Sequence, residues 1–220
     1  MTITRVAIVG GTGPQGRGLA ERLAMAGCAV VVGSRERARA ETVAAAIRTA
    51  HANAEVAGAE NLDAVANADA TILAIPADGL EATLATLRPR LAGRLVIDMV
   101  VPLAVLDGVV AHVPPRGAAS AGELVQRLLP ESRVVGAFKT IPAAHLARTD
   151  RPLEGDVLVC GDDPSARATV TVLVERIASL RAIDAGALRN VRYVEGLTAL
   201  LVSLNRLHRA HTSIHVLGLD

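Results

Sequence analysis

The chain of 220 residues has no tryptophan, one tyrosine and one phenylalanine, which removes any platform for stacking nucleic-acid bases. A formal net charge of +1 supplies no basic patch for phosphate backbones either, so nucleic-acid partners are not expected. Cysteine is scarce. Cys28 and Cys160 lie in apolar, strand-like stretches and read as small core hydrophobes of a protein in the reducing cytoplasm, not as a disulfide framework. Long hydrophobic runs are missing as well: 51% of the residues are hydrophobic, yet the longest candidate, 95–106, is broken by Asp98 and Pro102. That falls short of the ~20 residues that cross a bilayer, and no basic leader precedes the first strand, so neither a membrane span nor a signal peptide is expected. Lysine is nearly absent: of 23 basic residues, Lys139 is the single lysine. A chain that uses arginine wherever a generic cation suffices marks its one ammonium for attention, against the alternative of an ordinary surface lysine.

What is present is a regular alternation. Apolar, β-branched runs at 4–9, 29–33, 55–58, 70–75, 94–98, 134–138, 157–160 and 180–183 read as strands. Helical patterns at 16–26, 36–50, 62–66, 80–87, 121–129, 165–177 and 188–209 separate them. Near-continuous apolar strands alternating with helices predict an α/β fold, a Rossmann-type doubly wound and mostly parallel sheet covered on both faces. Residues 1–137 form the expected nucleotide-binding part and 138–220 a smaller closing part. The apolar last helix (Leu197, Leu200, Leu201, Leu204) predicts a homodimer, or else simple packing onto the sheet.

The first strand runs into Gly11-Thr12-Gly13-Pro14-Gln15-Gly16, a Gly-x-Gly-x-x-Gly turn with proline at the helix start. Glycines there serve a tight turn, close approach of backbone to a pyrophosphate, and helix-on-strand packing. An NAD site places a carboxylate about 20 residues further on, for the ribose 2′-hydroxyl. Here the second strand ends in Ser34-Arg35, followed by Arg37 and Arg39, with no acid at the strand tip. A hydroxyl and guanidinium groups suit a 2′-phosphate, so NADP(H) is the expected dinucleotide. Arg37 and Arg39 also read as solvated charges on a surface helix.

Ligands of open α/β sheets bind beyond the carboxyl ends of the strands. Residues 12–16, Ser34-Arg35, Ile75-Pro76-Ala77, 99–103 and Lys139-Thr140-Ile141-Pro142 occupy such ends and are expected to share one cleft. Asp162-Asp163 before Pro164 reads as a helix cap. His208, His211 and His215 fall on one face if the last helix continues. That arrangement suits a metal, although no carboxylate or cysteine joins them, and a frayed helix end is the other reading, so no metal site is assigned. No nucleophile with a partner base is apparent.

Nearly end to end, the chain resembles the F420-dependent NADP reductases. The carriers are Gly10 through Ala20, Val32-Gly33-Ser34-Arg35, Ile75-Pro76, Val101-Pro102, Thr140-Ile141-Pro142-Ala143-Ala144, Val159-Cys160-Gly161-Asp162-Asp163, Asp184-Ala185-Gly186-Ala187-Leu188 and Arg192 through Thr198. The resemblance implies an enzyme that moves a hydride between NADP(H) and coenzyme F420, an 8-hydroxy-5-deazaflavin. It implies that Thr12, Ser34, Arg35 and Arg39 hold the 2′-phosphate, that Ile75-Pro76 and Val101-Pro102 lie near the nicotinamide, and that Lys139–Pro142 meets the deazaflavin. An ammonium at Lys139 is then expected to stabilise charge developing near N1 and C2=O of the reduced ring, making it the candidate catalytic residue. The chain departs from the pattern at Lys139, often His in the family, at Ala77, where the family can carry an aromatic, and over 205–220. Those departures keep open an NADPH reductase acting on an imine, carbonyl or other flavin, and a non-catalytic NADP-binding protein.

Overall fold

The computed structural model describes residues 2–219; Met1 and Asp220, the outer ends of the two expected parts, lie outside the described residues. Strand β1 (Arg5–Val9) leads through α1 (Pro14–Met25) to β2 (Ala29–Ser34), and α2 (Arg37–Ala50) leads on to β3 (Val56–Glu60). After α3 (Asn61–Ala64) come β4 (Ala70–Leu73), α4 (Leu80–Leu91) and β5 (Leu95–Asp98). A hairpin of β6 (Leu103–Leu106) and β7 (Val109–His112) precedes α5 (Ala121–Leu128) and β8 (Arg133–Gly136). The remainder is α6 (Ala143–Leu146), β9 (Gly155–Gly161), α7 (Pro164–Glu175), β10 (Leu180–Asp184) and α8 (Val191–His208).

Six strands lie side by side in the order β3-β2-β1-β4-β5-β8, all parallel, as the near-continuous apolar runs require. Strand β1 shows why both faces are covered. Val6 and Ile8 join a core layer with Leu19 and Leu23 of α1 and Val170 of α7. Ala7 and Val9 face the opposite layer with Leu84 of α4 and Val125 of α5. The strand order reverses between β1 and β4, and this switch point opens a crevice at the carboxyl ends of both. Helix α1 ends in a Schellman turn: Gly27 takes φ 76, with its N–H to Ala24 O and the Cys28 N–H to Leu23 O.

Three features differ from the sequence reading. Residues 103–112 form a hairpin turning on Asp107 (φ 48) and Gly108 (φ 80), the two positive φ values of a type I′ turn. Strand β9 pairs antiparallel with β8, because residues 137–154 stay at the carboxyl end of the sheet and return the chain from there; β10 then pairs parallel to β9. Helix α8 stops at His208, where Arg209 adopts a left-handed cap at φ 51, so residues 210–219 leave the helical path. The three C-terminal histidines therefore share no helix face. His211 meets the His145 ring edge-on at 5.8 Å, and His215 Nδ1 lies 3.5 Å from Asp156.

Candidate active site

The glycines of the first turn have separable jobs. A Cβ on Gly11 would sit 2.9 Å from Ile8 O, and one on Gly16 would sit 2.6 Å from Gly10 O, so both positions are closed by the fold itself. A Cβ on Gly13 would find Gly10 O at 3.5 Å, an ordinary contact, so what a side chain there would fill is the cleft. Gly13 also caps α1 with no side chain, and no acid stands in the first turn, leaving the free N–H groups of the helix start to an anion.

Two cavities meet at this turn. One, of about 360 Å³, is walled by Thr12, Gly13, Ser34, Arg35 and Arg39, with Ile75 and Pro76 closing it. The other, of about 370 Å³, is walled by Gly13, Pro14, Gln15, Ile75, Pro76, Val101 and Lys139, with Thr198 of α8 beside Lys139. They share Gly13, Ala74, Ile75 and Pro76, forming one two-armed cleft that bends at the phosphate turn. Met99 and Leu103 of the expected 99–103 segment line it too, as do Asn61, Thr83 and Val202, which the sequence did not single out.

The first arm carries an unanticipated acid. Glu36 lies in the same wall as Ser34 and Arg35, its carboxylate 3.6 Å from Arg39 Nη1. The strand tip is free of acid as expected, but the residue just past Arg35 is not, and it engages Arg39. Arg37 is turned to Asp63 at 3.3 Å and does not line the cavity. Ser34 is buried and its hydroxyl accepts from the Glu36 N–H at 3.3 Å.

The second arm rests on a buried charge cluster. Strand β8 ends at Gly136, two residues earlier than the sequence suggests, and Phe138 adopts φ 58, turning the chain so that Lys139 reaches back to β5. Lys139 Nζ donates to Asp98 Oδ2 at 2.6 Å, to Val100 O at 2.5 Å and to Glu195 Oε1 at 3.1 Å. An ammonium has three donors, and these three acceptors engage all of them. The expectation that this ammonium meets an acceptor ring directly is therefore corrected: Lys139 lines the arm, but its charge is turned inward onto two carboxylates. Burial pulls the lysine pKa down, but Asp98 and Glu195 together carry it above the ordinary lysine value, so it stays charged. Burial pushes the Asp98 carboxyl up, and the neighbouring Glu195 charge adds to the rise. Glu195 also accepts from the Ala121 N–H at the start of α5 and lies 2.8 Å from His112 Nε2. Two carboxylates against one ammonium leave an excess negative charge, which the α5 N-terminus and the His112 imidazole are placed to offset.

The cluster fixes the wall of the arm. Asp98 Oδ1 accepts from the Val100 N–H at 3.0 Å while Lys139 holds the Val100 carbonyl, so the turn leading to Val101 and Pro102 is gripped at both polar groups. Val101 lines the cleft, whereas Pro102 is buried behind it. Thr140 and Ile141 are buried, and Pro142 is half-buried; their segment is tied to the cleft through the Ile141 carbonyl, which accepts from Gln15 Nε2 at 3.1 Å. Asp98 was legible as an acid closing an otherwise apolar strand. Glu195 and His112 carried no comparable signal.

Comparison with known proteins identifies the family. The family profile described as NADP oxidoreductase, coenzyme F420-dependent, matches residues 5–102. The chain is 38% identical over 224 aligned positions to the F420-dependent NADP reductase of Methanocaldococcus jannaschii, covering 98% of this chain and 99% of that protein. It is 35% identical to the F420-dependent NADP reductase of Methanothermobacter thermautotrophicus, over 96% of this chain and 93% of the other. Among solved structures, one from Arthrobacter sp. FB24 ascribed to the same class of reductase superposes with a TM-score of 0.80 at 26% identity, covering 97% of this chain and 100% of that one.

Proposed function

The chain belongs to the F420-dependent NADP reductase family, and from that membership we propose that it transfers a hydride between NADP(H) and coenzyme F420. The observation that carries the reading is the two-armed cleft bending at Gly13, with a Ser34-Arg35 tip in one arm and a largely apolar wall in the other. When bound, the two cofactors supply the chemistry themselves, a hydride passing between nicotinamide C4 and deazaflavin C5.

The protein's part is placement and charge. Gly11, Thr12, Gly13, Pro14, Gln15 and Gly16 form the turn for the pyrophosphate. Ser34 and Arg35 take the 2′-phosphate, joined by Arg39 once its side chain leaves Glu36. Ile75, Pro76 and Val101 wall the nicotinamide end, with Pro102 backing Val101, and Thr140, Ile141 and Pro142 with Lys139 support the deazaflavin. Lys139 acts by gripping the Val100 carbonyl and by holding Asp98 and Glu195, which makes it a positioning residue. The division near residue 137 separates these two tasks.

We read the protein as a cytoplasmic homodimer. Support for the dimer comes from apolar side chains left exposed on the hairpin (Val105, Leu106, Val109) and on α8 (Leu200, Leu207). The two cysteines, both buried and free, are in keeping with a reducing compartment. Mixing the protein with NADPH and oxidised F420, and following NADPH absorbance together with the visible band of the deazaflavin, tests the reaction. Both bands should fall in a one-to-one ratio. NADPH binding without loss of either band would leave a binding protein in place of a reductase.

A further inference from the structure

Helix α1 carries a second, lateral surface that the nucleotide site does not explain. Gln15, Gly18 and Arg22 are spaced by three and seven residues and so lie on one face of the helix. All three meet the same stretch of chain, residues 141–151. Gln15 holds the Ile141 carbonyl. At Gly18 the chain packs so closely that a Cβ would stand 2.6 Å from Leu146 Cβ. Arg22, itself buried, donates from Nε to Leu146 O at 3.1 Å, from Nη1 to Arg151 O at 2.9 Å, and from Nη2 to His145 O at 3.1 Å and to Arg148 O.

This arrangement answers a physical difficulty. Helix α6 is one turn long, and a single turn has nucleation cost without propagation gain. Its His145 carbonyl accepts from the Arg148 N–H at 3.2 Å, and its Leu146 carbonyl takes Arg22 Nε. A guanidinium offers five donors in a rigid planar fork, and four of them are used here on backbone carbonyls. The fork thus stabilises a segment whose own sequence gives it little reason to hold one shape. Two residues before this segment, Lys139 lines the second arm of the cleft, while Gly13, Pro14 and Gln15 at the start of α1 line its bend.

We infer that Arg22 is a positioning residue for hydride transfer: through the Gln15–Gly18–Arg22 face, α1 sets the distance between the dinucleotide turn and the segment that supports the acceptor ring. The inference rests on the proposed reaction. Bound dinucleotide and acceptor are both referred to one rigid helix, so loosening the clamp should disturb the acceptor and leave the dinucleotide in place. A displacement of about 1 Å in a reacting pair can cost about a hundredfold in rate.

The test compares the parental protein with Arg22→Lys, which keeps a cation but loses the fork, and with Gly18→Ala, which keeps the clamp but crowds Leu146. Hydrogen exchange of amides 143–151 in the ligand-free protein should speed up in Arg22→Lys, with the amides of residues 10–16 unchanged. NADPH affinity by calorimetry should stay within about twofold, while KM for F420 rises and kcat falls by about tenfold or more. The primary isotope effect with NADPH deuterated at C4 should grow, because the hydride step becomes more limiting. Gly18→Ala should show the same split at smaller size, and carries the test if Arg22→Lys does not fold. Unchanged exchange, or faster exchange with parental F420 kinetics, would overturn the inference, as would equal losses toward NADPH and F420. A parent inert toward F420 overturns the proposed function and this inference together; an active parent with indifferent variants overturns the inference alone.

Discussion

Lys139 and Asp98, 41 residues apart in the chain, meet as a buried ion pair with Nζ 2.6 Å from Oδ2, and both side chains are closed to solvent. Removing one member of such a pair leaves an uncompensated buried charge, which costs about 3–5 kcal/mol. Lys139→Met should lower the unfolding free energy from guanidinium titration by that order, with a lower midpoint, because Asp98 and Glu195 are then left facing each other. Adding Asp98→Asn and Glu195→Gln to the same chain should recover most of the loss. A Lys139→Met protein that unfolds at the parental midpoint would show that the cluster does not depend on the ammonium.

The sign of the pH effect follows from the same pair. The folded-state pKa of Lys139 is raised above its unfolded value, so the stability its charge contributes is complete below the ordinary lysine range. That stability is lost as pH rises through the folded value. Alkaline unfolding monitored by circular dichroism should therefore begin above about pH 10.4, and the Lys139→Met protein should lack this limb. An alkaline limb of equal size in both would assign it to other groups.

In the first arm, Glu36 and Arg39 form an ion pair at 3.6 Å beside the site proposed for the 2′-phosphate. Arg35→Ala should raise the NADPH Michaelis constant far more than that for NADH, since a charged hydrogen bond contributes about 1.5–3 kcal/mol. Glu36→Gln should act the other way: it frees Arg39 from an exposed ion pair worth about 0.2–1 kcal/mol and removes a repulsive charge, improving NADPH binding up to severalfold. Calorimetric titration with NADPH and NADH checks both. Equal changes for the two nucleotides would mean that neither residue reads the phosphate.

How far the sequence reached is clear from particular places. The strands that build the switch point were legible because a parallel strand covered on both faces is apolar at every position, as in Val6 through Val9. The phosphate turn was legible because its glycines answer steric demands within a few residues of each other. The hairpin was legible in principle, since Asp107-Gly108 between Leu-Ala-Val-Leu and Val-Val-Ala-His is a type I′ signal. The helical pattern at 80–87 stops short of the element: α4 continues through Pro89 because Leu91 extends the buried stripe of Leu84 and Leu87. The inward turn of Lys139 was out of reach. It depends on Phe138 taking a left-handed φ and on partners 41 and 56 residues away, relations that no local pattern encodes.

The last prediction concerns Asp156 and the C-terminal tail. Asp156 receives both Nε and Nη2 of Arg181, at 2.9 and 2.8 Å, and the Val216 N–H at 2.5 Å. Its own N–H donates to Ile214 O at 2.9 Å, and Arg181 also donates to the carbonyls of Val216 and Leu219. One carboxylate and one guanidinium thus fasten residues 214–219 to β9 and β10. Hydrogen bonding from Arg181, together with the Val216 N–H, holds the Asp156 carboxyl below its usual range. A depressed folded pKa gives stability that is present above the unfolded value of about 3.9 and is lost as pH falls through the folded one. Acidification below that value should release the tail before the sheet opens, seen as proteolytic or exchange sensitivity confined to residues past 210. Asp156→Asn should release it already at neutral pH, because the amide keeps the shape of the group but loses charged hydrogen bonds worth about 1.5–3 kcal/mol each. A tail equally protected in Asp156→Asn and parent at neutral pH would assign its attachment to side-chain packing, not to this carboxylate.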